Sequence, residues 1–189
     1  MKVSTETWES AVNKLRSGIK QDEPATVASP LYNDLVKMVK VGRSVLDVGC
    51  GDRCLKLSLP SNVVYFGLDA FTECADNIIG KIEDDAMLEL FLDLYKTFPV
   101  QTIFAMAVMD GVEDFDKAII NMKMIARKNI VFLTGINIEP DEKHTLKLQL
   151  SDFRERFTDW KETLCHLVKQ EGDKQLYLLQ YENPERLPQ

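Results

Sequence analysis

Two glycines and a pair of acids give the chain its first chemical signature. Val45-Leu46-Asp47-Val48-Gly49-Cys50-Gly51-Asp52 is a short β-branched run that meets an acid and then two glycines one residue apart. Glycine has no Cβ, so the backbone can take positive φ and a ligand can lie against the main chain where side chains would collide. About twenty residues further on, Val63-Val64-Tyr65-Phe66-Gly67-Leu68 ends on Asp69. A carboxylate at the tip of a neighbouring strand is placed to accept hydrogen bonds from two vicinal ribose hydroxyls. That acid serves NAD as well as other adenosine cofactors. The glycines discriminate better, because a nicotinamide site prefers G-x-G-x-x-G/A and Cys54 stands at its third position.

Two further polar residues, Asp110 and His144, follow apolar runs whose C-terminal ends would form the site, and they are the candidates for contact with a reacting molecule. Each has a plainer reading. His144 lies in the polar stretch Glu139-Pro140-Asp141-Glu142-Lys143, where an exposed histidine is common, and His166 falls inside a strand-like run. Phe71 taken alone suits a core, and Glu83-Asp84-Asp85 suits a helix start stabilised by the dipole. Four cysteines (Cys50, Cys54, Cys74, Cys165) are too few for a disulfide scaffold and lack the paired spacing of a zinc site, so free thiols and no metal are expected.

The elements that must position these residues follow from periodicity. Ser44 to Val48, Val63 to Leu68, Gln101 to Met109 and Asn129 to Thr134 are apolar runs bounded by turn residues, as buried strands are. Helical spacing joins Leu31, Leu35, Met38 and Val39 behind Ser29-Pro30, then Met87, Leu90, Phe91 and Leu94, then Phe115, Ala118, Ile119, Met122, Ile125 and Ala126. The last of these has acids at its start and Arg127-Lys128 at its end, matching the macrodipole. Ser151 can cap a short helix through Phe157. Trp160 to Lys169 and Gln175 to Tyr181 then form strand-like runs about a Glu171-Gly172-Asp173 turn. Strand and helix in alternation predict a parallel sheet covered on both faces, with ligands at the C-terminal strand ends, closed by an antiparallel hairpin.

Length and charge bound the rest. A chain of 189 residues with 45% hydrophobic residues supports one core, so a single domain over 1–189 is expected, with 1–28 as an N-terminal helix and linker able to lid a pocket and 29–189 as the core. Trp8, Ala11, Val12, Leu15 and Ile19 make that helix amphipathic. A net charge of −7 disfavours nucleic acid as a partner. No run approaches a membrane span and the first residues lack the apolar centre of a secretory signal, so a soluble, cytoplasmic protein is the expectation.

Val45 to Asp52, Asp69, and Val108-Met109-Asp110-Gly111-Val112-Glu113-Asp114 together resemble the class I S-adenosylmethionine-dependent methyltransferase family, small-molecule type. In that family the first motif wraps the methionine part of the cofactor, the acid holds the ribose, and a V-L-E-H-V-E-D run follows the fourth strand. The resemblance spans about Leu31 to Tyr181. It implies an α/β, Rossmann-like, mostly parallel seven-stranded sheet with helices on both faces and a C-terminal antiparallel β-hairpin. It implies S-adenosylmethionine as cofactor, held by Asp47, Gly49, Cys50, Gly51 and Asp69, with Ala70, Phe71, Glu83 and Asp84 on the adenine side, and Asp110 and His144 as catalytic candidates. The activity implied is methyl transfer to a small-molecule or saccharide-like acceptor; the alternative is a catalytically inactive cofactor-binding or scaffold protein. The chain lacks the N/D-P-P-Y/F motif of base amino-methylation, having Met109-Asp110-Gly111 there. It departs from the pattern at Gly111, where histidine is frequent, and at Arg53, where a third glycine is frequent. Arg53 must either point outward or bring its guanidinium to a carboxylate, the cofactor's own included. The stretch Ala70 to Ile82 is short for a helix followed by a third strand.

Overall fold

The apolar runs become the strands of one sheet in the computed structural model, which describes residues 26–71, 77–94, 96–141 and 145–186. The strands are β1 (Ser44–Val48), β2 (Val64–Asp69), β3 (Asn77–Ile79), β4 (Thr102–Met106), β5 (Asn129–Ile136), β6 (Lys161–Glu171) and β7 (Lys174–Glu182), and the helices are α1 (Pro30–Met38), α2 (Asp85–Leu94), α3 (Phe115–Ile125) and α4 (Leu150–Arg156). The sheet order is β3-β2-β1-β4-β5-β7-β6, with β1 to β5 parallel and β7 antiparallel to both of its neighbours. This is the seven-stranded Rossmann-like sheet expected. The proposed helix over residues 8–19 lies outside the described residues.

β1, β4 and β5 are buried from end to end, the signature of strands covered on both faces. Side chains alternate between two clusters. Leu46, Val48, Ile103, Ala105, Ile130 and Phe132 face α2, α3 and α4, whereas Val45, Phe104, Met106, Val131 and Leu133 face α1 and a short 3₁₀ turn at Cys54–Ser58. That turn occupies the β1–β2 connection where a doubly wound fold ordinarily places a full helix, and Leu55, 2% exposed, plugs the gap.

Local details depart from the sequence reading for physical reasons. Ser29 stands at the N-cap of α1, but only its carbonyl takes part, accepting from the Asn33 amide, and the face buried is Tyr32, Leu35 and Val36. On α2, Leu90 is exposed and Leu88 packs in its place beside Phe91. The N-cap of α4 is Gln149 rather than Ser151, because the Asp152 carboxylate accepts from the Gln149 amide at 2.6 Å. β4 stops at Met106, where Ala107 turns to φ +57, instead of continuing to Met109. The connection after β2 does hold a third strand, of three residues, paired with Gly67, Leu68 and Asp69.

Candidate functional site

β1 and β4 lie side by side at the point where the strand order reverses, and the crevice outside their carboxyl ends is where open α/β sheets bind ligands. Backbone strain collects at that edge. Among the described residues the non-glycine residues with positive φ are Arg53 (+66), Ala107 (+57) and Asn137 (+58), which follow β1, β4 and β5. Left-handed backbone at non-glycine positions is costly, and it concentrates at functional sites.

The two glycines of the turn do different work. Gly49, at φ +71, sits where an added Cβ would lie 2.6 Å from Val108 Cγ2, so its missing side chain admits the chain leaving β4. Gly51, at φ +48, would direct a Cβ into open space with nothing within 4 Å. Ligand approach is therefore available at Gly51; at Gly49 the space is taken by packing. The Gly49 and Cys50 amides both donate to the Leu68 carbonyl, at 2.8 and 3.1 Å, which ties the turn to the end of β2.

Asp69 stands beside that opening. Its Oδ2 accepts from the Gly51 amide and its Oδ1 from the Phe71 amide, each at 2.9 Å. At 9% exposure it is buried, unlike an ordinary solvated strand-end acid. Phe71 is 83% exposed, which corrects its reading as a core residue, and Ala70 beside it is half-buried.

Behind the turn lies a buried polar group. Asp47, 2% exposed on the α1 face, accepts at Oδ2 from Tyr65 Oη at 2.7 Å. Burial pushes its carboxyl up to about 7, the Tyr65 hydrogen bond and Arg53 opposing, Asp69 and Asp52 adding. Burial likewise raises the Tyr65 and Tyr32 phenols and the Cys50 thiol, with the negative field of Asp47 acting in the same direction on each. Tyr65 and Tyr32 were not singled out in the sequence. The available signal was the odd-numbered alternation that puts Tyr65 on the same sheet face as Asp47. Arg53, 7% exposed, is folded inward with its guanidinium 5.3 Å from the Tyr65 ring centre, so the outward alternative fails.

The remaining candidates scatter. Glu83 Oε1 accepts from the Glu113 amide at 3.1 Å, and Asp84 is exposed, its carbonyl accepting from the Met87 and Leu88 amides at the start of α2. Asp110 is 7% exposed, and its carbonyl accepts from the Leu146 amide at 3.0 Å, fastening the chain before α4 to the chain after β4. His144 lies outside the described residues, so the arrangement says nothing of it. At the tip of the hairpin, Asn137, Glu139, Lys147, Gln170, Asp173 and Gln175 line a polar depression of about 310 Å³. Cys50, Cys54 and Cys165 are free thiols, and among the described residues no helix is long and apolar enough to cross a membrane.

No family model matches the chain, and no curated protein matches it in sequence. Solved structures do match in shape. A magnesium protoporphyrin IX methyltransferase from Synechocystis, with S-adenosylmethionine bound, superposes with a TM-score of 0.59 at 11% identity over 96% of this chain and 86% of its own. A putative methyltransferase from Bacillus halodurans gives 0.55 at 10% identity over 81% and 98%. The YcgJ protein of Bacillus subtilis gives 0.55 at 14% identity over 82% and 96%. At such identities the likeness is one of fold.

Proposed function

We propose, from the class I S-adenosylmethionine-dependent methyltransferase fold of this chain, that it binds S-adenosylmethionine at the turn after β1 and transfers its methyl group to a small-molecule or saccharide-like acceptor. One observation carries the reading: the Asp69 carboxylate is oriented by the Gly51 and Phe71 amides beside the one glycine of the turn that faces open space. A flat adenosine needs that combination of an exposed main chain and a fixed acceptor for its ribose diol. In this reading Asp47, Gly49 and Cys50 shape the turn, Gly51 and Asp69 touch the ligand, and Ala70 and the exposed Phe71 flank the adenine. Glu83 and Asp84 lie at its polar rim.

The bound cofactor supplies a methyl group on a sulfonium, already activated for displacement. The protein's task is alignment of three atoms and exclusion of water. A general base is needed only for an acceptor that is protonated at working pH. Asp110 and His144 are the proposed groups for that role, both following the strands that end at this edge.

Calorimetric titration with S-adenosylmethionine and, separately, NADH tests the cofactor; saturable binding of the first and none of the second is expected. Incubation with methyl-labelled cofactor and a panel of sugars and small alcohols tests the reaction. Burial of the Arg53 side chain against the turn favours a second reading, a cofactor-binding scaffold without catalysis. Tight binding with no label transfer to any acceptor would select it.

A further inference from the structure

Arg53 occupies a position where glycine would be easier. Its backbone is left-handed at φ +66, its amide donates to the Cys50 carbonyl at 2.8 Å to close the turn, and its side chain is folded in rather than released to solvent. A strained residue that keeps a long side chain at such a place is held for what the side chain does.

The surroundings indicate what that is. Asp52 and Asp69 both act on Asp47, Asp47 and Asp69 act on Cys50, and Arg53 is the buried cation beside them, opposing the acids at Asp47 and at Cys50. Its guanidinium rests over the Tyr65 ring at 5.3 Å, and the Tyr65 hydroxyl is itself fixed on Asp47, so a chain of contacts joins the cation to β1. Lys56 approaches the same ring at 5.8 Å, but its side chain is exposed. S-adenosylmethionine carries a sulfonium, an ammonium and a carboxylate. The acids of the turn suit its cationic groups and repel its carboxylate. Arg53, with a planar fork that matches a carboxylate in two hydrogen bonds, supplies the missing complement.

We infer that Arg53 is a specificity residue that recognises the carboxylate at the amino-acid end of S-adenosylmethionine. The inference rests on the cofactor reading above.

The test compares S-adenosylmethionine with its decarboxylated form, which keeps the adenosine, sulfonium and amine. Both are titrated calorimetrically into the full chain, the Arg53→Met variant and the Arg53→Gly variant, the last because glycine takes the left-handed backbone without strain. The wild type is expected to prefer S-adenosylmethionine by about tenfold or more. Both variants are expected to bind the two ligands alike. Three outcomes overturn the inference while leaving the cofactor reading intact: no preference in the wild type, preference retained in the variants, or an equal gain or loss for both ligands. Failure of the wild type to bind either ligand overturns both.

Discussion

The turn between β1 and β2 buries acids and phenols together, whereas β5, α4 and β7, at the other side of the sheet, bury aromatic rings against one another. In the second region Phe132 and Phe153 have ring centres 5.0 Å apart, Phe157 and Tyr181 stack at 4.2 Å, and Phe115 meets Phe153 edge-on at 5.3 Å. Such a cluster combines large buried area with favourable ring geometry, and its consequence is stability. In the first region Asp47 is held against Tyr65 with its ionisation opposed by burial, and φ is positive at Gly49, Gly51 and Arg53. One region holds the sheet together; the other carries strain and unfavourable burial at the edge where a ligand would sit.

The sharpest way to separate them is Phe153→Ala. Phe153 is fully buried, and its truncation should lower stability by about 3–5 kcal/mol in denaturant titration. Its cofactor affinity, measured where the variant is still folded, should stay within about twofold of wild type if the regions act independently. Next comes Gly49→Ala, whose Cβ would collide with Val108 at 2.6 Å on a left-handed backbone; a loss of about 1–3 kcal/mol is expected. Gly51→Ala meets nothing, so only the backbone cost of about 1 kcal/mol should appear in stability, while cofactor affinity falls because the new methyl enters the approach path. If Gly51→Ala bound as wild type does, the ligand would not lie against that amide.

The smallest effect is a slope. The folded-state pKa of Asp47 is raised to about 7 from 3.8, so between about pH 4 and pH 7 the native state holds a proton that the unfolded chain has released. Its contribution to stability must therefore fall as pH rises through that window and level off above it. Asp47→Asn should remove this component, seen as the difference between the two stability profiles. Tyr65→Phe takes away a hydrogen bond that lowers the Asp47 pKa, and should extend the window upward.

The strands were legible because buried parallel strands are continuous apolar runs, and Ser44 to Val48 or Asn129 to Thr134 need no partner to be recognised. β3 was not, since three residues after a short connection carry no periodicity. Helices were legible but their buried faces only in part, as Leu88 in place of Leu90 and Tyr32 and Val36 beside Leu35 show; which side of a stripe is buried depends on the sheet beneath it. In the candidate site, the turn and Asp69 could be read as a motif. The reason for Gly49 could not, because Val108 is distant in sequence and only the fold brings it there. The Asp47–Tyr65 pair and the burial of Arg53 depend in the same way on register between β1 and β2.

A crystal of the chain grown with S-adenosylhomocysteine tests the central claim most directly. The account predicts both ribose hydroxyls within hydrogen-bonding distance of the Asp69 carboxylate and the ligand backbone against the Gly51 amide. A ligand bound elsewhere on the sheet edge, or a ribose turned away from Asp69, would contradict it.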